Sequence, residues 1–147
     1  MCTLCLKIPN NIYHTILDCE FTTKLWEEIE PRLKELHPVN ISKEEKAFGV
    51  VMKKQTTGSL LRNWITFMLR EFITQEERLA YHSSTEPNLE DAKHKFNDYL
   101  KSEIHMKIVR YTYEKQLSLI DKIITHKEVL CKKIENEYEI LGLLPKR

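Results

Sequence analysis

A mainly α-helical fold is predicted by three features of this 147-residue chain. Turn formers are scarce, with only three Gly and five Pro, which leaves few places to reverse a strand-rich chain. Apolar residues recur at intervals of three and four over long stretches, the period of one buried helix face. Hydrophobic residues make up 41% and charged residues 31%, a balance that suits long amphipathic helices better than a turn-rich β fold. The length allows one core of ordinary domain size, with a small metal-held appendix.

The order of elements follows from the same patterns. Residues 1–22 read as a metal-binding segment in which Pro9-Asn10-Asn11 turns the chain and a helix begins near His14. From Phe21 to Leu36, the residues Leu25, Trp26, Ile29, Leu33 and Leu36 fall at helical spacing, so one amphipathic helix is expected, bent at Pro31. His37-Pro38-Val39-Asn40 ends it, and Ser42 with Glu45 resembles a capping box for a short turn leading to Phe48-Gly49. After Thr56-Thr57-Gly58-Ser59, a wide stripe of Leu61, Trp64, Ile65, Met68, Leu69, Phe72 and Ile73 predicts the core helix. His82 to Pro87 is a polar loop, and Asn88 caps a further helix whose first turn carries Glu90 and Asp91.

The pattern continues toward the carboxy terminus. Leu89, Phe96, Leu100, Ile104, Ile108 and Tyr111 form its first apolar set. Leu117, Ile120, Ile124, Lys127, Cys131, Ile134, Tyr138 and Leu141 then alternate spacings of three and four, a heptad-like seam interrupted by Lys127. Gly142 offers a C-cap and Pro145 a stop. The expected organisation is therefore a zinc knuckle at 1–22, a helical domain at 23–116 and an amphipathic carboxy-terminal helix at 117–147. With Lys127 and Tyr138 at seam positions, that last helix suits packing on the domain's own core or a loosely held extension better than a stable two-stranded dimer. The other readings are a docked partner helix or weak self-association through residues 117–141.

The strongest chemical signal is Cys2-x2-Cys5-x8-His14-x4-Cys19. A C-x2-C pair presents two sulfurs from one tight turn, and the His and third Cys complete a tetrahedral shell of three sulfurs and one nitrogen, the preference of Zn2+. A filled shell leaves no open position for water, so the ion expected is structural. Buried cysteines have no reason to cluster at ligand spacing, which favours metal over simple packing. Three of the four cysteines are used, so a disulfide framework would have to dismantle the pattern, and a reducing compartment, nucleus or cytoplasm, is expected.

Other function classes are narrowed by composition. The net charge of +1 rules out a broad basic field, so any contact with nucleic acid is regional. No run approaches the roughly 20 apolar residues that cross a bilayer, and no signal-peptide pattern opens the chain. His37, His82, His94, His105 and His126 form no second metal pair. Trp64, Phe67 and Phe72, at helical spacing, read as core side chains more readily than as base-stacking ones. Lys7, Tyr13 and Lys24, on or beside the metal loop, are the better candidates for nucleic-acid contact.

With Cys2, Cys5, His14 and Cys19 followed by Phe21, Leu25 and Trp26, the chain resembles the zinc-binding region near the C-terminal end of reverse transcriptases from non-LTR (LINE-type) retrotransposons. Phe48-Gly49, then Arg70 and Ile73 on a long apolar helix, extend the similarity, which covers residues 2 to about 120. The resemblance implies a C-terminal fragment that grips template RNA or target DNA without catalysing a reaction. No Tyr/Phe-x-Asp-Asp or Ala-Asp-Asp motif is present to hold the Mg2+ pair that nucleotidyl transfer needs. Asp91-Ala92-Lys93 matches half of a PD-(D/E)xK nuclease signature, but no Pro-Asp pair supplies the other half. The alternative is a zinc-stabilised protein-interaction module that uses the carboxy-terminal heptads.

Overall fold

The computed structural model describes residues 2–6, 11–49, 55–83 and 87–144. Five α-helices follow one another among them: α1 (Glu20–Leu36), α2 (Lys43–Phe48), α3 (Thr57–Ser83), α4 (Leu89–Tyr113) and α5 (Ser118–Ile124). A widened, π-helical turn at His14–Asp18 precedes them. A 3-10 turn at His126–Glu128 and an antiparallel hairpin, β1 (Cys131–Ile134) with β2 (Glu137–Ile140), follow them. The fold is mainly α, as the sparse turn formers predict.

The long helix α3 packs against α1, α2, α4 and α5. Its face of Leu61, Ile65, Met68, Leu69, Phe72 and Ile73 is buried against Leu25, Trp26, Ile29, Leu33 and Leu36 of α1 and Phe96, Leu100 and Ile104 of α4. Each such side chain removed from water contributes about 1.5–3 kcal/mol. The rings of Phe72 and Phe96 meet at 5.3 Å, tilted by 51°. Two of the three aromatics expected in this stripe behave differently. At 3.6 residues per turn Phe67 lies across the helix from the stripe and is 50% exposed. Trp64 sits on the flank, half-buried, with Lys107 Nζ 5.5 Å from its ring centroid.

Helix α1 runs continuously through Pro31. Between α1 and α2 the chain is fastened from below by Arg62 of α3, which is 1% exposed. Its Nε and Nη2 donate to the two carboxylate oxygens of Glu45, each at 2.6 Å. Its Nη1 donates to the carbonyls of His37 and Val39 at 2.6 and 2.7 Å. A buried guanidinium is tolerable because this fork satisfies it and its charge is neutralised. The expected capping box is consequently half present. Ser42 Oγ accepts from the Glu45 N–H at 3.1 Å, but the Glu45 carboxylate is engaged by Arg62. Gly49 ends α2 at φ 89°, where a Cβ would lie 2.5 Å from Asn63 Oδ1.

The carboxy-terminal segment corrects the sequence expectation. Residues 117–144 form no long amphipathic helix, so the heptad-like seam offers no continuous helix to a partner. After α5, Lys127 and Glu128 both adopt φ 52°, which stops a right-handed helix. The chain then alternates exposed and half-buried residues along β2, the period of a strand. Val129, Leu130 and Cys131 are all buried, as are Leu143 and Leu144. Consecutive buried residues of this kind do not fit one narrow helical seam.

The tail after β2 docks through Asn97 of α4. Asn97 Oδ1 accepts from the N–H groups of Leu143 and Leu144 at 2.7 and 3.0 Å. Its Nδ2 donates to the Leu144 carbonyl at 3.3 Å. Gly142, expected as a helix C-cap, instead sits at φ 79° over this amide, where a Cβ would approach Asn97 Oδ1 to 2.7 Å. Arg32 of α1 reaches the carbonyls of Leu143 (2.8 Å) and Val129 (3.3 Å). One hydrophobic cluster joins Cys2, Leu4 and Cys19 at one end to Leu130, Cys131 and Leu144 at the other. No helix among the described residues is long and apolar enough to cross a membrane. The Pro9-Asn10 part of the expected turn and Pro145 lie outside the described residues.

Candidate metal centre

The four residues singled out by spacing converge. Their ligand atoms, three sulfurs and one imidazole nitrogen, all lie within 4.8 Å of one another. Cys2 Sγ is 3.9 Å from Cys19 Sγ, and Cys5 Sγ is 3.3 Å from His14 Nε2. A tetrahedral zinc ion with Zn–S near 2.3 Å and Zn–N near 2.0 Å has ligand–ligand edges of about 3.8 Å (S–S) and about 3.5 Å (S–N). The two observed separations sit close to those edges. A donor set of three thiolates and an imidazole also suits Zn2+ better than a hard cation, which prefers oxygen.

The first two ligands come from a turn closed by the Leu6 N–H donating to the Cys2 carbonyl at 2.8 Å. Leu6 adopts φ 61° there, a left-handed conformation that costs a branched side chain about 1–2 kcal/mol. Leu4 points into the core at 5% exposure, and Thr3 Oγ1 donates to the Glu77 carbonyl of α3 at 2.9 Å. The turn is thereby tied to the helical body from both sides.

His14 and Cys19 are brought together by a local departure from α geometry. Five residues of regular α-helix rotate a side chain by about 140° beyond one full turn, which would aim the two donors at different faces. Here the Cys19 N–H donates to the His14 carbonyl at 2.6 Å, the i to i+5 bond of a π turn. Asn11 starts the turn as a cap, its Oδ1 accepting from the His14 N–H at 2.9 Å. At Cys19 the backbone becomes extended (φ −60°, ψ 133°) before α1 begins.

Leaving the helix at Cys19 deprives the preceding carbonyls of helical N–H partners. Side chains of α1 replace them. Thr22 Oγ1 donates to the Thr15 carbonyl at 2.6 Å, Trp26 Nε1 to Ile16 at 2.8 Å and Thr23 Oγ1 to Leu17 at 3.3 Å. Phe21, Leu25 and Trp26 are themselves buried. Trp26 therefore fastens the metal segment to α1 through both its ring and its N–H. Spacing pointed to the four ligands but not to this polar support. A pair of threonines in the first turn after the last ligand is the signal that would have revealed it.

Cys2 and Cys19 are fully buried, His14 is 5% exposed and Cys5 is half-buried. Without an ion, burial pushes the Cys19 thiol up to about 11. The backbone N–H groups of Thr22 and Phe21 pull the other way, and the nearby Cys2 adds to the rise. A bound cation would reverse the balance, because a coordinating thiol is deprotonated by the metal's charge.

The candidates for nucleic-acid contact are arranged less tightly. Tyr13 is 58% exposed. With Ile12, Ile16, Leu17, Ala47 and Phe48 it lines an apolar recess of about 260 Å3. Lys24 lies on the exposed side of α1, 3.4 Å from Glu20, and Lys43 lies 3.4 Å from Asp18. Lys7 is outside the described residues. No protein-family model, curated protein or solved structure matches the chain.

Proposed function

We propose that this chain is a zinc-held, non-catalytic nucleic-acid-binding module, the C-terminal region of a LINE-type reverse transcriptase that grips template RNA or target DNA. The observation that supports the reading best is the convergence of Cys2, Cys5, His14 and Cys19 donor atoms within 4.8 Å. Zinc would complete a closed shell and hold the π turn and the C-x2-C turn on α1 and α3. Its contribution is to shape, since a filled tetrahedral site has no position for a reacting water. The exposed ring of Tyr13 would stack on a base, and Lys7 and Lys24 would meet phosphates. Such a role belongs in the nucleus or cytoplasm.

Metal analysis and binding assays test the two halves of the proposal separately. The purified chain should carry about one equivalent of zinc, and Cys5→Ser should lower it by more than half. Fluorescence anisotropy with single-stranded RNA or nicked duplex at about 50 mM salt should show binding that weakens steeply as salt rises. Zinc present with no binding at low salt would remove the nucleic-acid half and leave the metal centre standing.

A further inference from the structure

We infer that Cys2 and Cys19 form a redox modification pair, closing a disulfide when the metal centre meets a hydroperoxide and so expelling the ion. The inference rests on the metal-centre reading. Its geometry is specific. The two sulfurs are 3.9 Å apart, so a movement of about 2 Å brings them to the S–S bond length. Both side chains are fully buried. None of the four cysteines is engaged in a disulfide, and Cys131, at the hairpin, is far along the chain from the cluster.

The entry point is a different sulfur. Cys5 is the half-buried member of the three, so it is the thiolate that a small oxidant reaches first. Its sulfur attacks the peroxide oxygen, the O–O bond breaks, and hydroxide leaves, giving a sulfenic acid on Cys5. The Cys2 thiolate attacks the Cys5 sulfur, the S–O bond breaks, and a second hydroxide leaves. Cys19, 3.9 Å from Cys2, then attacks the Cys2 sulfur and returns Cys5 as a thiolate. Two thiolates have lost two electrons to one hydrogen peroxide, and protons from solvent convert both hydroxides to water.

The product has a structural consequence. Two of four donors are consumed, and the remaining Cys5 and His14 cannot hold a tetrahedral ion. The link still spans from the first turn to the start of α1, so the amino-terminal segment stays pinned to the helical body. Oxidation would therefore release zinc without unravelling the fold, and a thiol reductant with added zinc would restore it.

The test treats the full zinc-loaded chain with equimolar hydrogen peroxide, alkylates the remaining thiols with iodoacetamide and maps linked peptides by mass spectrometry. Zinc release is followed with a chromogenic chelator. The expected result is about one zinc released per disulfide, with Cys2–Cys19 the predominant link and Cys5 alkylated. Cys131→Ser should leave the result unchanged, and dithiothreitol with zinc should reverse it. Predominance of Cys2–Cys5, or zinc loss through sulfinic acid with no disulfide, would overturn the inference. The same mapping on chelator-treated protein separates the two readings. A chain that holds no zinc as purified sinks the metal reading and with it the ion release, leaving at most a bare thiol pair, whereas a zinc-bound chain that retains its ion under peroxide sinks the pair and keeps the metal.

Discussion

The two ends of the chain dock on the same helical core by opposite means. At the amino terminus, the metal-site donors are close in sequence: Cys2 and Cys19 are 17 residues apart and Cys5 and His14 nine, although Thr3 also reaches the Glu77 carbonyl across 74 residues. At the carboxy terminus, Arg32 reaches Leu143 across 111 residues, Lys127 reaches the Glu35 carbonyl across 92, and Asn97 reaches Leu144 across 47. One end is organised around a point where four donors meet. The other is a short hairpin and tail laid against α1 and α4 by scattered polar anchors. The comparison shows that an end built on a local constellation can be recognised from spacing, whereas an end built on distant partners cannot.

The contrast predicts separable failures. With zinc in the site as proposed, its removal should have the largest effect, since structural zinc supplies on the order of 10 kcal/mol in small zinc domains. Hydrogen exchange after chelation should show residues 11–19 losing protection while β1 and β2 keep theirs. Asn97→Ala should do the reverse. It removes three hydrogen bonds and leaves the buried Leu143 and Leu144 N–H groups unpaired, a cost of about 2–4 kcal/mol. The hairpin and tail should exchange faster while zinc content stays at about one equivalent. Loss of zinc from that variant would mean that the ends are coupled through the core rather than independent.

Alkaline pH should load the carboxy-terminal end. Burial, with the nearby Asp121 charge, pushes the Cys131 thiol from 9.0 up to about 11. A thiol that holds its proton more tightly when folded supports the fold fully below its unfolded pKa, and that support is lost as pH rises through the folded value. Stability should therefore decline from about pH 9 toward about pH 11, and chemical denaturation of Cys131→Ala should show a shallower decline. Tyr138, raised by burial and by its hydrogen bond to Asp121, acts in the same direction at still higher pH.

The smallest expected effect returns to the amino terminus. Leu6→Gly relieves the left-handed strain at φ 61° and should stabilise the turn by up to about 1 kcal/mol. Competition with a zinc chelator would read this as an affinity increase of up to about fivefold. A decrease would mean that the half-exposed Leu6 side chain contributes packing that outweighs the strain.

Several parts of the fold were legible in the residues themselves. The buried face of α3 follows from Leu61 to Ile73 at helical spacing, and the Asn88 cap follows from its side chain accepting the Asp91 N–H at 3.1 Å, as the capping preference predicts. The ligand set was legible because Cys and His at those intervals have few other uses. The π turn was not, since His14-x4-Cys19 fits several local geometries and only the support from Thr22, Thr23 and Trp26 selects the wide one. The Arg62–Glu45 pair was hidden for a related reason. Arg62 is one polar residue beside the apolar stripe and Glu45 reads as a capping-box residue, and only the crossing of α2 over α3 buries them together.

The hairpin shows the limit most directly. Cys131, Ile134 and Tyr138 fit a heptad, but Glu137-Tyr138-Glu139-Ile140 fits a strand equally well, and local pattern cannot choose between the two periods. The choice is made by Asn97, Arg32 and Asp121, which offer the folded-back chain hydrogen bonds that a continuing helix would forgo. The amino-acid sequence by itself determined the helical class, the core face of α3 and the identity of the four convergent Cys and His side chains, because each is encoded by residue type at short separation. Tertiary structure alone decided the buried ion pair and the direction of the last stretch of chain, because those depend on partners that meet only after the helices have packed, while the widened turn is selected by Thr22, Thr23 and Trp26 at the start of α1.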